Sequence, residues 1–134
     1  MIALIMMIAQ EMGVPPYFAL SIAILESNLD PCAVSPVNQN GTVDYGIFQL
    51  NSQYFYDFDW SCPETNIRTG IRHIKWLIDH PWTCTYWSVA AAYNAGINRL
   101  DDLPDTTPDY ANRVMRLWSE LSGGNEMALI GGRQ

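Results

Sequence analysis

The chain is short of positive charge. Seven Lys and Arg residues stand against fourteen Asp and Glu, a formal net charge of −7. No basic stripe runs along it, which excludes nucleic acid and anionic membrane surfaces as main partners. The same balance excludes capture of an anionic polymer by simple electrostatic attraction, so a polysaccharide bound here has to be held by hydrogen bonds and stacking. No run of about 18 apolar residues occurs, and no membrane span is expected. The opening segment, Met1 to Ala9, is apolar. It lacks the positive start of a secretory signal, and no convincing cleavage site follows, so it reads as the first helix of a domain. Cysteine is scarce: Cys32, Cys62 and Cys84 fit no zinc spacing. Cys62 and Cys84 flank a continuous helical pattern whose ends lie roughly 22 Å apart, too far for a disulfide. Cys32 paired with either of them stays open, beside three buried free thiols. No repeat or linker is visible, and no cofactor or metal is implied.

What is present is a globular domain. The chain has 134 residues, 49% hydrophobic and only 16% charged, which suits one domain with a real core. Five Trp, seven Tyr and four Phe are many for this size. Most belong in a core, and the surplus suits a groove that stacks on flat ligand faces such as sugar rings.

Helix signals are frequent and strand signals few. Ile2 to Met12 predicts a helix closed by Gly13. Pro16 opens a second that runs to about Ser27, with Asp30-Pro31 as its stop. Residues 35–44 form a polar loop in which Asn40-Gly41 marks a turn, read as the tip of a short hairpin. Asp44 to Leu50 is apolar and compact, and Gly46 within it suggests close backbone approach. Asn66 to Asp79 carries Ile67, Ile71, Ile74, Leu77 and Ile78 at helical spacing. Trp87 to Ala95 reads as a short buried helix ended by Gly96, and Thr107-Pro108 as the N-cap and first turn of a last helix. The tail after Gly123-Gly124 has no clear pattern. His73 and His80 lie two turns apart with no third ligand in sight, so they read as ordinary surface or core histidines.

One carboxylate stands out. Glu26 ends the apolar run Ala19 to Leu25. Desolvation raises a carboxyl pKa, and the partial negative charge at a helix C-terminus raises it further. Such a group keeps its proton near neutral pH and serves as a general acid.

Three stretches then carry a resemblance: Glu26-Ser27-Asn28 through Ser35-Pro36, Asp44-Tyr45-Gly46-Ile47-Phe48-Gln49-Leu50-Asn51, and Ala90 through Tyr93-Asn94-Ala95-Gly96. In order and spacing the chain resembles the soluble lytic transglycosylases over roughly Ile8 to Leu121. The resemblance implies a mainly α, lysozyme-like fold of about five to six helices with a short polar loop or β-hairpin lining the cleft. Residues 1–122 would form that domain, and 123–134 a C-terminal tail expected to be mobile.

It also implies cleavage of the β-1,4 bond between N-acetylmuramic acid and N-acetylglucosamine in peptidoglycan, with Glu26 as the single acid and base and a 1,6-anhydro product. By the same resemblance Ser35, Tyr45, Phe48, Gln49, Tyr93, Asn94 and Tyr110 contact substrate or orient the acid. The chain departs from the family between Ser35 and Gly46, where it is longer and carries Asp44. The segment Asp44-Tyr45-Gly46 is similar to one in c-type lysozymes, where the aspartate is the second catalytic carboxylate. A muramidase using Glu26 and Asp44 is therefore the alternative, and a non-catalytic glycan-binding module a lesser one. The implied partners are peptidoglycan strands, acted on by a monomer in the periplasm or cell-wall space or delivered by a phage. A secretion-system or phage-particle partner would also fit.

Overall fold

Glycine, proline and one asparagine set the helix boundaries from the first turn onward. A computed structural model of the chain describes residues 1–55, 59 and 62–130. Helix α1 (Ile2–Met12) ends at Gly13, whose backbone is left-handed with φ 72° and whose N–H returns to Ala9 and Gln10 carbonyls. Helix α2 (Pro16–Ser27) begins on Pro16 and stops at Asn28 (φ 53°) and Leu29 (φ 64°), before Asp30-Pro31 is reached. Next come strands β1 (Asp44–Tyr45) and β2 (Leu50–Asn51), then helices α3 (Pro63–Asp79) and α4 (Tyr86–Ala95). A single 3₁₀ turn at Ile97–Arg99 leads to α5 (Thr107–Ser122) and α6 (Asn125–Ile130). Among the described residues this is a mainly helical molecule with one small antiparallel hairpin, consistent with a lysozyme-like fold.

Helix α2 is the centre. Phe18 to Ala23 are all buried, as expected of a helix apolar on every side. The rings of Phe18, Tyr86 and Trp118 pack edge-on or tilted at centroid distances of 4.9–5.1 Å and join α2, α4 and α5. Helix α3 lays its apolar stripe, Ile67, Ile71, Ile74 and Leu77, into the same core.

Several expectations shift. The two-stranded ladder lies one turn later than Asn40-Gly41: Asp44 pairs with Asn51 and Tyr45 with Leu50, around the Gly46–Gln49 turn. Asn40-Gly41 does turn the chain, with Gly41 donating to the Asn38 carbonyl, and a bridge between Val34 and Tyr45 adds a third short contact. Helices α3 and α4 start earlier than expected, at Pro63 and Tyr86, the latter through a Thr85–Ser88 capping box. Thr107 is not the N-cap of α5, since Thr106 precedes it; the Thr107 hydroxyl instead donates to Asn94 Oδ1 at 2.7 Å. All three cysteines are free, but Cys32 and Cys84 are exposed rather than buried. Among the described residues no helix is long and apolar enough to cross a membrane.

Beyond Gly124 the chain folds back. Glu126 accepts hydrogen bonds from the Tyr17 and Phe18 backbone N–H groups at 3.0–3.2 Å and from Trp118 Nε1 at 2.6 Å. The first N–H groups of a helix have no partner inside it, and they favour negative charge. A side chain from the far end of the sequence thus caps α2. Residues 131–134 of the expected tail lie outside the described residues.

Two outcomes follow. Glu126→Ala should destabilise the protein by about 1–3 kcal/mol, because buried donors lose their acceptor, read as a lower denaturation midpoint. Gly70 packs so closely that an added Cβ would sit 2.6 Å from Phe48 Cβ. Gly70→Ala should cost about 1–3 kcal/mol through overpacking; an unchanged thermal melt would contradict that packing.

Candidate active site

The apolar sequence of α2 carries its last acidic side chain to the edge of an open cleft of about 970 Å³. Asn38, Thr42, Asp44 and Asn51 give this cleft a polar lining from the hairpin region. Phe55, His73, Trp76 and Tyr93 give it an aromatic one. Glu26, Gln49 and Asn94, all expected from the sequence, line it too.

Glu26 Oε2 accepts a hydrogen bond from the Tyr110 hydroxyl at 2.5 Å. Oε1 has no hydrogen-bond partner among the described residues. Burial is the largest influence on this carboxyl and raises its pKa to about 7; the Tyr110 hydrogen bond works against the rise, and the nearby charge of Asp44 adds to it. Tyr93 and Tyr110 are both pushed well above the usual phenol range, first by burial and then by the Glu26 charge. They are therefore donors at any working pH.

Tyr93 donates to the Phe48 carbonyl at 2.5 Å. The Phe48 N–H donates to Asn66 Oδ1 at 3.0 Å, and Asn66 Nδ2 donates to the Tyr45 carbonyl at 3.0 Å. Asn66 is buried. A Cβ on Gly46, where φ is 75°, would lie 2.7 Å from Asn66 Cγ, so only glycine lets the turn approach this amide. Ser27 Oγ donates to the Ile47 carbonyl at 2.8 Å and ties the same turn to the end of α2 beside Glu26. Gln49 leaves the turn with φ 51°, one of three non-glycine residues in the left-handed region among the described residues. The other two, Asn28 and Leu29, directly follow the Glu26-Ser27 helix end. Backbone strain gathered on both sides of one cleft is a common mark of a functional site.

Asp44 is a placed charge. Its Oδ1 accepts from Asn51 Nδ2 at 2.9 Å, its Oδ2 from Asn38 Nδ2 at 3.3 Å, and its own N–H donates to Ser35 Oγ at 2.9 Å. Neighbouring loop contacts fix the two asparagines: Asn51 also donates to Thr42 Oγ1, which Asn38 reaches as well.

The candidates divide accordingly. Glu26, Asp44, Gln49, Tyr93 and Asn94 come together in the cleft, and Tyr110 reaches it through Glu26. Gln49 spends its Nε2 on the Gly46 and Ala33 carbonyls, leaving its oxygen for a ligand donor. Ser35 and Tyr45 do not line the cleft; the Ser35 hydroxyl donates to the Pro36 carbonyl and accepts from Asp44 N. The Phe48 ring is fully buried in the core, so Phe48 acts through its backbone and cannot offer its side chain to a substrate.

Sequence reasoning missed His73, Trp76, Asn38, Asn51 and Asn66. Trp76 sits among the polar positions of α3, and a tryptophan there is the one signal that could have found the aromatic lining. His73 is held among Phe55, Trp76 and Tyr93 at 5.4–5.9 Å, and burial lowers its pKa to about 4, so it faces the cleft neutral. Among the described residues no group of three His, Cys, Asp or Glu could hold a metal.

Residues 3–115 match the family described as the transglycosylase SLT domain. No curated protein matches the chain.

Carbon-13 titration of Glu26 should give a pKa near 7. Asp44→Asn should lower it, since a repelling charge goes, and Tyr110→Phe should raise it, since a hydrogen bond to the carboxylate goes. The folded pKa lies above the ordinary value of 4.5. The carboxyl therefore costs nothing below about pH 4.5, and stability falls as pH rises from there to about 7, by at most about 3 kcal/mol given partial solvent access. Glu26→Gln should remove that slope. A wild-type carboxyl titrating near 4.5 would refute the argument.

Proposed function

The chain belongs to the transglycosylase SLT domain family, and from that premise we propose that it is a lytic transglycosylase. It cleaves the β-1,4 bond between N-acetylmuramic acid and N-acetylglucosamine in peptidoglycan, a substrate outside the cytoplasm. Family membership supports the general activity, a transglycosylase acting on peptidoglycan. The finer reading rests on one observation: a cleft carboxyl whose burial holds it near pKa 7 while a tyrosine orients it.

The chemistry follows from that group. Tyr110 occupies Oε2 as a donor, so the transferable proton of the neutral acid lies on Oε1. Glu26 gives this proton to the glycosidic oxygen as the bond to the muramyl anomeric carbon breaks. Positive charge develops on the sugar ring, and the Asp44 carboxylate, fixed by two asparagine amides, stabilises it without having to move. The Glu26 carboxylate then takes the proton of the muramyl C6 hydroxyl as that oxygen attacks the anomeric carbon. The product is a 1,6-anhydro sugar, the acid is regenerated, and no water is consumed. A pKa near the working pH lets one side chain serve as acid and then as base.

Asp44 also supports a second reading, a muramidase, because two carboxylates on one cleft can flank a sugar bond. Mass spectrometry of digested sacculi separates the two. 1,6-Anhydromuramic acid products are expected, whereas reducing ends alone would establish the hydrolase. Glu26→Gln should cut turnover by about a thousandfold or more, with kcat/KM of the wild type falling above about pH 7. Asp44→Asn should slow a transglycosylase by about ten- to hundredfold, whereas loss equal to that of Glu26→Gln would make Asp44 a second catalytic carboxylate. Glycan binding by wild type without turnover would leave a binding module.

A further inference from the structure

The cleft does not stop at its aromatic lining. Trp76, half exposed, begins a ladder of rings along the end of α3: Trp76 to His80 at 5.1 Å and His80 to Trp82 at 5.0 Å. Trp82 is 60% exposed, yet the turn carrying it is tightly built. The Trp82 N–H donates to His80 Nδ1 at 3.1 Å. Buried Thr83 returns its hydroxyl to the Leu77 carbonyl and, at 3.0 Å, to that of His80. The indole is therefore presented to solvent by a fixed backbone, unlike a side chain on a loose loop.

Trp82 heads a second groove of about 430 Å³, lined also by Ile97, Asn98, Leu100 and Asp101. Ile97 and Asn98 line the cleft as well, so the two hollows adjoin at the 3₁₀ turn. The lining pairs apolar faces with an amide and a carboxylate. A hexosamine offers the matching surface, with C–H groups on its ring faces and hydroxyl and acetamido groups around its rim. The net charge of −7 gives no basis for an anionic occupant.

We infer that the glycan strand runs out of the cleft over Trp76 and into the Trp82 groove, which serves as a distal subsite for an N-acetylhexosamine. The protein then grips strands longer than those its cleft alone can fill. This rests on the proposed function for the identity of the polymer, while the position and role of Trp82 come from the groove itself.

Calorimetry on the full chain carrying Glu26→Gln tests it, with chitotriose and chitohexaose as probes. The hexamer should bind more tightly than the trimer. Adding Trp82→Ala should weaken the hexamer about tenfold, the size of one well-covered aromatic contact, and leave the trimer unchanged. Trp82→Phe should keep most of the hexamer affinity, and it carries the test if the alanine variant melts early. Equal weakening of both oligomers, or no weakening of the hexamer, overturns the distal subsite. Concentration-dependent self-association that Trp82→Ala abolishes would also overturn it, assigning the ridge to a second copy. Failure of the Glu26→Gln chain to bind either oligomer removes the proposed function and the subsite together.

Discussion

The peptide at Phe48 is the point on which the cleft depends. Its N–H is held by the Asn66 side chain from α3 and its carbonyl by the Tyr93 hydroxyl from α4. Its ring fills the space that Gly70 leaves open. Buried backbone groups must find partners, and here both are side chains from different helices, so the turn locks two helices at one spacing. That spacing places Tyr93, Gln49 and the aromatic lining opposite the end of α2. Ser27 joins the same turn to α2 through the Ile47 carbonyl, so Glu26 belongs to the same rigid unit. Without the Asn66 bracket, the Gly46–Gln49 turn would have no reason to hold Gln49 in its left-handed backbone.

The electrostatics of Glu26 are a balance held by that frame. Burial alone would make the carboxyl a poor acid, since its charged form would have no support. Tyr110 offsets part of the penalty by bonding the carboxylate, and Asp44 pushes the other way by repulsion. The opposing influences leave the group near neutrality, where giving and taking a proton cost about the same. Tyr93 and Tyr110 can help because their own burial keeps them protonated.

Much of this was legible in residue order. The Gly13 stop, the Pro16 start and the apolar stripe of α3 follow from local chemistry, and each lies where periodicity and glycine or proline put it. Glu26 stood out because a carboxylate after a run of seven residues with only Ser21 polar has few comfortable places to go. What could not be read was long-range. The hairpin falls at Gly46–Gln49 because Asn66, some twenty residues later, supplies its hydrogen bonds, and no local signal encodes that partner. Phe48 looked like a cleft residue beside Gln49, but the close approach permitted by Gly70 draws its ring inward. His73 read as an ordinary histidine until α4 brought Tyr93 against it, with Trp76 stacked beside it. Asn125 to Ile130 showed no pattern, since the Glu126 carboxylate bonds a helix more than a hundred residues upstream.

That last contact has a consequence for how the protein is made. A ribosome releases α2 long before it releases residue 126, so the nascent central helix waits with its leading amides unsatisfied. Contacts of such sequence separation form late and make completion of the native state slow. The central helix is therefore completed only once α6 has been made, and a product truncated before Glu126 would carry a cleft on an unfinished scaffold, an open target for proteolysis.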